Sequence, residues 1–100
     1  MVKQVVWTFQ AQNDRKAIFA YRNERNKSNV YSKKLNLLFK NAVATIAKYP
    51  KIGQQSDSPN VRAKLVRDYL LFYEILEETL VILALWDTRQ APEKLSDKGF

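Results

Sequence analysis

The stretch from Thr79 to Trp86, TLVILALW, has no polar face, because every position from Leu80 onward is apolar. Side chains alternate between the two faces of a strand, so a strand of this composition is covered on both and lies inside a sheet. The run is also far too short to cross a bilayer, which takes about 20 apolar residues. The rest of that sheet, and a layer to cover it, must come from what precedes. At 100 residues a single domain over 1–100 is expected, one that buries roughly 65% of the surface of its unfolded chain.

The segments upstream supply the missing parts. Val61 to Val66 and Tyr69 to Leu76 read as two further strands, and Glu77 with Glu78 makes a tight turn into the last one. In the middle strand Tyr69, Leu71, Tyr73 and Ile75 share one face, which assigns them to the core, while Leu70 and Phe72 point the other way. At the N-terminus VKQVVWTF is rich in β-branched and aromatic residues without helical spacing, so Val2 to Phe9 is predicted as a first strand. From Ala11 to Arg25 the apolar residues Ala11, Ala17, Ile18 and Tyr21 gather near one side of a helix. Ser28 can cap a second helix, in which Tyr31, Leu35, Leu38, Phe39, Ala42, Ile46 and Tyr49 follow a helical rhythm until Pro50 stops it. PKIGQQSDSPN then has the chemistry of a loop, and the tail from Asp87 to Phe100 reads as irregular. The predicted order is β-α-α-β-β-β. This is an α+β fold, with a helical hairpin packed on a small, mostly antiparallel sheet.

Charge and composition narrow the function. Seventeen Lys and Arg against 10 Asp and Glu give a net charge of +7, which suits an anionic partner such as nucleic acid or an acidic protein segment. The chain has no Cys and no His, so thiol nucleophiles, the usual zinc sites and imidazole acid–base catalysis are excluded. No metal or cofactor is expected. The opening residues are too polar for a secretory leader, and the expected location is the cytoplasm, with no membrane contact.

The ordered set of an opening strand, two helices, YPKIG, VR, DYLLFYEI and ALWDTRQAPEKL resembles the RelE/ParE toxins of bacterial type II toxin–antitoxin modules. The resemblance implies a basic toxin neutralised by a cognate antitoxin. Its target would be mRNA on the ribosome, cut by an mRNA interferase, or DNA gyrase. It implies further that one sheet face carries the functional residues. Residue by residue, Arg62 and Lys64 match the family's basic pair on the strand after the helical hairpin, where they would bind phosphate. Lys64 would also act as a base toward a ribose 2′-hydroxyl. Arg89 matches the basic residue after the last strand and would bind phosphate and stabilise a pentacovalent phosphorus. Leu70 and Phe72 would meet the antitoxin.

Two positions depart from the nuclease pattern. Leu70 stands where the RelE-like members place an arginine, and Leu95 where they place a tyrosine or histidine. Arg67 is the nearest replacement for the missing arginine, yet strand alternation sets it opposite Arg62 and Lys64 unless a bulge intervenes. Read without the resemblance, the Arg62 and Lys64 pair is a solvated strand edge that discourages aggregation. Arg89 is then an ion-pair partner for Asp87 or Glu93, and the helix cations Arg15, Lys16, Lys33, Lys34, Lys40 and Lys48 are wet faces. A relative without catalytic power, acting only as a binding module for antitoxin or nucleic acid, is the third reading.

Overall fold

The computed structural model describes residues 2–90. Its framework is a five-stranded sheet in the order β1-β5-β4-β3-β2. The strands are β1 Gln4–Trp7, β2 Gln54–Gln55, β3 Arg62–Val66, β4 Tyr69–Leu76 and β5 Thr79–Asp87. Helices α1 Phe9–Asn26 and α2 Val30–Lys48 precede β2. As the apolar run demands, β5 is internal: it pairs antiparallel with β4 and parallel with β1. The expected α+β architecture is therefore present, and the sheet is antiparallel except at β1.

Two hydrophobic clusters lie on opposite faces of this sheet. On the helix side, Leu35, Phe39, Ala42 and Ile46 of α2 meet Tyr69, Leu71 and Tyr73 of β4 and Leu80, Ile82 and Leu85 of β5. Aromatic rings carry the contact across the layers, with Phe19 stacked on Phe39 at 6.3 Å and Phe39 edge-on to Tyr69 at 5.9 Å. On the other face Val61, Phe72, Ala84 and Trp86 form the second cluster, joined by Ala63, Leu70 and Leu83. Burial of β5 on both faces is thus as expected.

A bulge allows β5 to serve both clusters. Phe72 pairs with Ala84 but Tyr73 pairs with Ile82, which leaves Leu83 as the extra residue. Up to Ile82 the even-numbered residues face the helices; beyond the bulge Leu85 does so, and Ala84 and Trp86 turn to the second face. The pairing of β1 stops at Ile82, and the side chains of Thr8 and of Asp14 in α1 take over its role along that flank of β5. The Thr8 hydroxyl donates to the Leu83 carbonyl at 3.1 Å, and the Leu85 N–H donates to an Asp14 carboxylate oxygen at 3.1 Å.

The boundaries differ from expectation in ways that have physical causes. The first strand ends at Trp7, because the Thr8 hydroxyl accepts from the Ala11 N–H and caps α1, so that Phe9 begins the helix. The N-cap of α2 is Asn29, not Ser28, although the Ser28 hydroxyl accepts from the Val30 N–H. The loop after Pro50 contains the short strand β2, which pairs Gln54 and Gln55 with Ala63 and Arg62. Along α1 the buried line runs through Ala11 and Arg22, while Ala17 and Tyr21 are exposed. Most of the tail, including Glu93 and Leu95, lies outside the described residues.

Candidate functional site

The basic pair behaves as strand geometry requires. Arg62 faces Tyr73 across the ladder and Lys64 faces Leu71, so the two cations share a side, the one that also carries the helices. By register they are therefore not on the face of Leu70 and Phe72, although Lys64, near the sheet edge, also borders the cleft over that face. Arg62 is anchored by the loop after α2, its guanidinium donating to the Gly53 carbonyl at 2.8 Å and, at 3.5 Å, to that of Lys51. Lys64 is half-buried and its ammonium donates to the neighbouring Leu65 carbonyl at 3.4 Å.

The same loop is held from below by Tyr73. Its hydroxyl donates to the Pro50 carbonyl at 2.7 Å and accepts from the Gly53 N–H at 3.0 Å. Burial pushes the Tyr73 phenol above its usual range, against smaller opposing effects of the Gly53 N–H and the Arg62 charge. A side chain at position 53 has no room: a Cβ there would stand 2.7 Å from the Tyr73 hydroxyl and 3.0 Å from the Ala63 carbonyl.

Arg67 is not on a strand at all. Val66 pairs with Tyr69, so Arg67 and Asp68 form a two-residue turn, and Arg67 takes a φ of 57° in the left-handed region. The alternation argument for its orientation consequently does not apply. Glu77 repeats the device in the next hairpin with a φ of 56°.

Arg89 is committed to Asp87. Its guanidinium donates to both oxygens of that carboxylate, at 2.9 and 2.7 Å, and its backbone N–H donates to one of them at 2.9 Å. These hydrogen bonds hold the Asp87 carboxyl below the usual carboxylate range and raise the arginine further above its own. Beside this pair a cleft of about 710 Å³ opens between α1 and the end of the sheet, lined by Ile18, Tyr21, Arg25, Tyr69, Asp87 and Arg89. Arg22 of α1 is only 8% exposed, and its Nε–H donates to the hydroxyl of the cleft residue Tyr69 at 2.9 Å. Its guanidinium lies 5.1 Å from the ring centre of Tyr31 and 3.9 Å from the Asp68 carboxylate. Arg22 is not among the residues singled out from the sequence, although its spacing from Ala11 and Ile18 is the signal that places it with them.

The cations do not converge. Asp87 pairs with Tyr69 while Arg62 pairs with Tyr73, so Arg62 and Arg89 are set apart by four residues of β4, about 13 Å at 3.3 Å per residue. Leu70 is half-buried on the second face opposite Leu65, which is 56% exposed. Phe72 is 3% exposed. A cleft of about 480 Å³ runs over this region, lined by Ile52, Ala63, Lys64, Leu65, Leu70 and Phe72 among others. Among the described residues no cluster of carboxylates could hold a metal ion, and no helix is long and apolar enough to cross a membrane.

The site thus consists of a helical hairpin laid on a short sheet, with cations on β3 and an arginine just past β5. A chain of the chromosomal ParDE toxin–antitoxin system from P. aeruginosa superposes with a TM-score of 0.74, at 17% identity, over 89% of this chain and 98% of its own length. The family model described as the ParE toxin of the type II toxin–antitoxin system parDE matches residues 5–92. The chain belongs to that family. No curated protein matches it by sequence.

Proposed function

We propose that this ParE-family toxin arrests growth by inhibiting DNA gyrase in the cytoplasm and does not cut mRNA. The separation and engagement of its cations carry the reading. To stabilise a phosphorane, fixed donors must meet one phosphate, each contributing on the order of a hundredfold or more in rate. Here Arg62 is tied to the carbonyls of Lys51 and Gly53, Lys64 to that of Leu65, and Arg89 to Asp87, while Arg67 sits in a turn. The position that RelE-like nucleases fill with arginine is Leu70, beside exposed Leu65. A half-buried apolar strip of this kind suits protein contact, and the antitoxin is its proposed occupant, meeting Leu70 and the cleft edge at Phe72. Arg62 and Lys64 then act as a polar rim toward gyrase, not as acid–base groups.

The test is paired. The purified toxin should block supercoiling by gyrase at concentrations that leave a reporter mRNA on translating ribosomes intact by primer extension. Leu70→Arg should not create cleavage, since no second cation stands ready to share the phosphate. Codon-specific cleavage by the unmodified chain refutes the proposal in favour of an mRNA interferase. Inactivity in both assays assigns the chain to the binding-module reading.

A further inference from the structure

The net charge is confined to one layer. Residues 9–51, the helical hairpin and its exit, carry ten Lys and Arg against two acids, Asp14 and Glu24; the rest of the chain carries seven against eight. Neither acid offsets the helical surface: Asp14 is turned to the Leu85 N–H and Glu24 is paired with Lys27 at 2.8 Å. Between Glu24 and Asp57 there is no acidic residue. A surface evolved only for solubility intersperses both signs, and a helix gains stability from acids four residues before its lysines. α2 forgoes both.

Its lysines are also placed together. At about 100° per residue, Lys33, Lys34, Lys40 and Lys48 fall within an arc of roughly 120°, centred opposite the buried line of Leu35, Phe39, Ala42 and Ile46. All four are exposed, and among the described residues none is ion-paired. From Lys33 to Lys48 the stripe is about 22 Å long at 1.5 Å per residue.

We propose that the outer face of α2 binds the phosphate backbone of duplex DNA, a site distinct from the sheet surfaces and independent of the gyrase reading. Ammonium groups on flexible stems along one side of a straight helix can follow a row of phosphates, spaced about 3.4 Å along each strand. Among the described residues the stripe carries no exposed aromatic ring between Lys33 and Lys48, and the single ring at its end, Tyr49, 5.6 Å from the Lys48 ammonium, is not the series of stacking platforms that single-stranded nucleic acid uses. The apolar interruptions of the stripe are Leu37 and Ala44, with Asn41 as a further polar group. A helix 10–12 Å across also matches the roughly 12 Å major groove of B-DNA, whereas the deep, narrow groove of duplex RNA does not admit it.

The experiment is fluorescence anisotropy of the full chain with a labelled 20-base-pair DNA of arbitrary sequence, from 50 to 200 mM salt. With four phosphates neutralised the log–log slope should be about −3.6, a loss of affinity of roughly a hundredfold across that range. Lys33→Gln with Lys40→Gln and Lys48→Gln should bring the slope to about −0.9 and weaken binding at 50 mM salt by about tenfold or more. Gln4→Glu with Gln54→Glu and Gln55→Glu makes the same change in net charge on exposed sheet positions and should leave the slope unchanged. Circular dichroism confirms that both variants are folded. Equal losses in the two triple variants, no binding by the unmodified chain, or stronger binding to duplex RNA, single-stranded DNA or polyglutamate would each overturn the assignment.

Discussion

Removing one oxygen atom, by Tyr73→Phe, should loosen the whole connection between α2 and β3. The lost hydroxyl leaves the Gly53 N–H and the Pro50 carbonyl without partners, the first buried and the second partly so. A net hydrogen bond contributes about 0.5–1.5 kcal/mol and a stranded buried donor costs about 1–3 kcal/mol. The carbonyl can recover water, so the total is about 2–3 kcal/mol. For 100 residues that corresponds to a fall in Tm of about 10–20 °C, measured by thermal circular dichroism. Gly53→Ala forces a Cβ against the same ring and against the Ala63 carbonyl, and should cost a similar amount, about 1–3 kcal/mol. Because both changes release one loop, the double variant should lose clearly less than the sum. There is an alkaline signature as well. A phenol whose folded pKa is raised contributes stability that is complete below its unfolded value near 10 and is lost as pH rises toward the folded value. The unmodified protein should therefore lose stability above about pH 10 more steeply than Tyr73→Phe. A Tm change under about 3 °C, or strictly additive effects, would show that the loop is held by something other than this hydroxyl.

Two further outcomes follow from the ends of the strands. The Asp87 carboxyl is depressed by Arg89, so its contribution is present above the unfolded value near pH 4 and disappears as pH falls through the folded one. Arg89→Gln should lower stability at pH 7 by at most about 0.5–1 kcal/mol, given the half-exposed arginine, and denaturant titrations should find the difference shrinking as the pH falls below about 4. Arg67→Gly should raise stability by up to about 1 kcal/mol, because glycine adopts the left-handed turn position without penalty, and should leave growth inhibition unchanged. Loss of toxicity in that folded variant would return Arg67 to the functional surface.

What the sequence revealed depended on whether the decisive force was local. The period of α2, the two-faced run of β5 and the opposite orientations of Leu70 and Leu71 are set by alternation and helical spacing, and all were legible. β2 was not, because two glutamines carry no strand preference and are recruited only by the edge of β3. Thr8 was hidden inside an apolar and β-branched stretch whose cap function appears only once α1 starts. Arg67 and Glu77 occupy turn positions that ordinarily announce themselves with glycine, so the two-residue Arg67–Asp68 hairpin left no marker. At the candidate site, the shared side of Arg62 and Lys64 followed from spacing. Their engagement did not, because the Gly53 carbonyl that holds Arg62 comes from a loop nine residues earlier. The side of α1 that Arg22 takes follows from helical spacing, whereas its partners Tyr69 and Asp68 come from another part of the chain.

The parallel pairing of β1 with β5 has a temporal meaning. The first strand of the sheet has its partner in residues 79–82 of β5, which is the last of the strands in chain order among the described residues. At about 5–20 residues per second, roughly 4–15 s separate the two. Throughout that interval β1 has no neighbour in the ladder and the apolar side of the helical hairpin has no β5 to rest on. A toxin built this way comes into being late. A polypeptide that ends before Thr79 lacks β5, and with it the ladder partner of both β1 and β4, so it cannot complete this sheet.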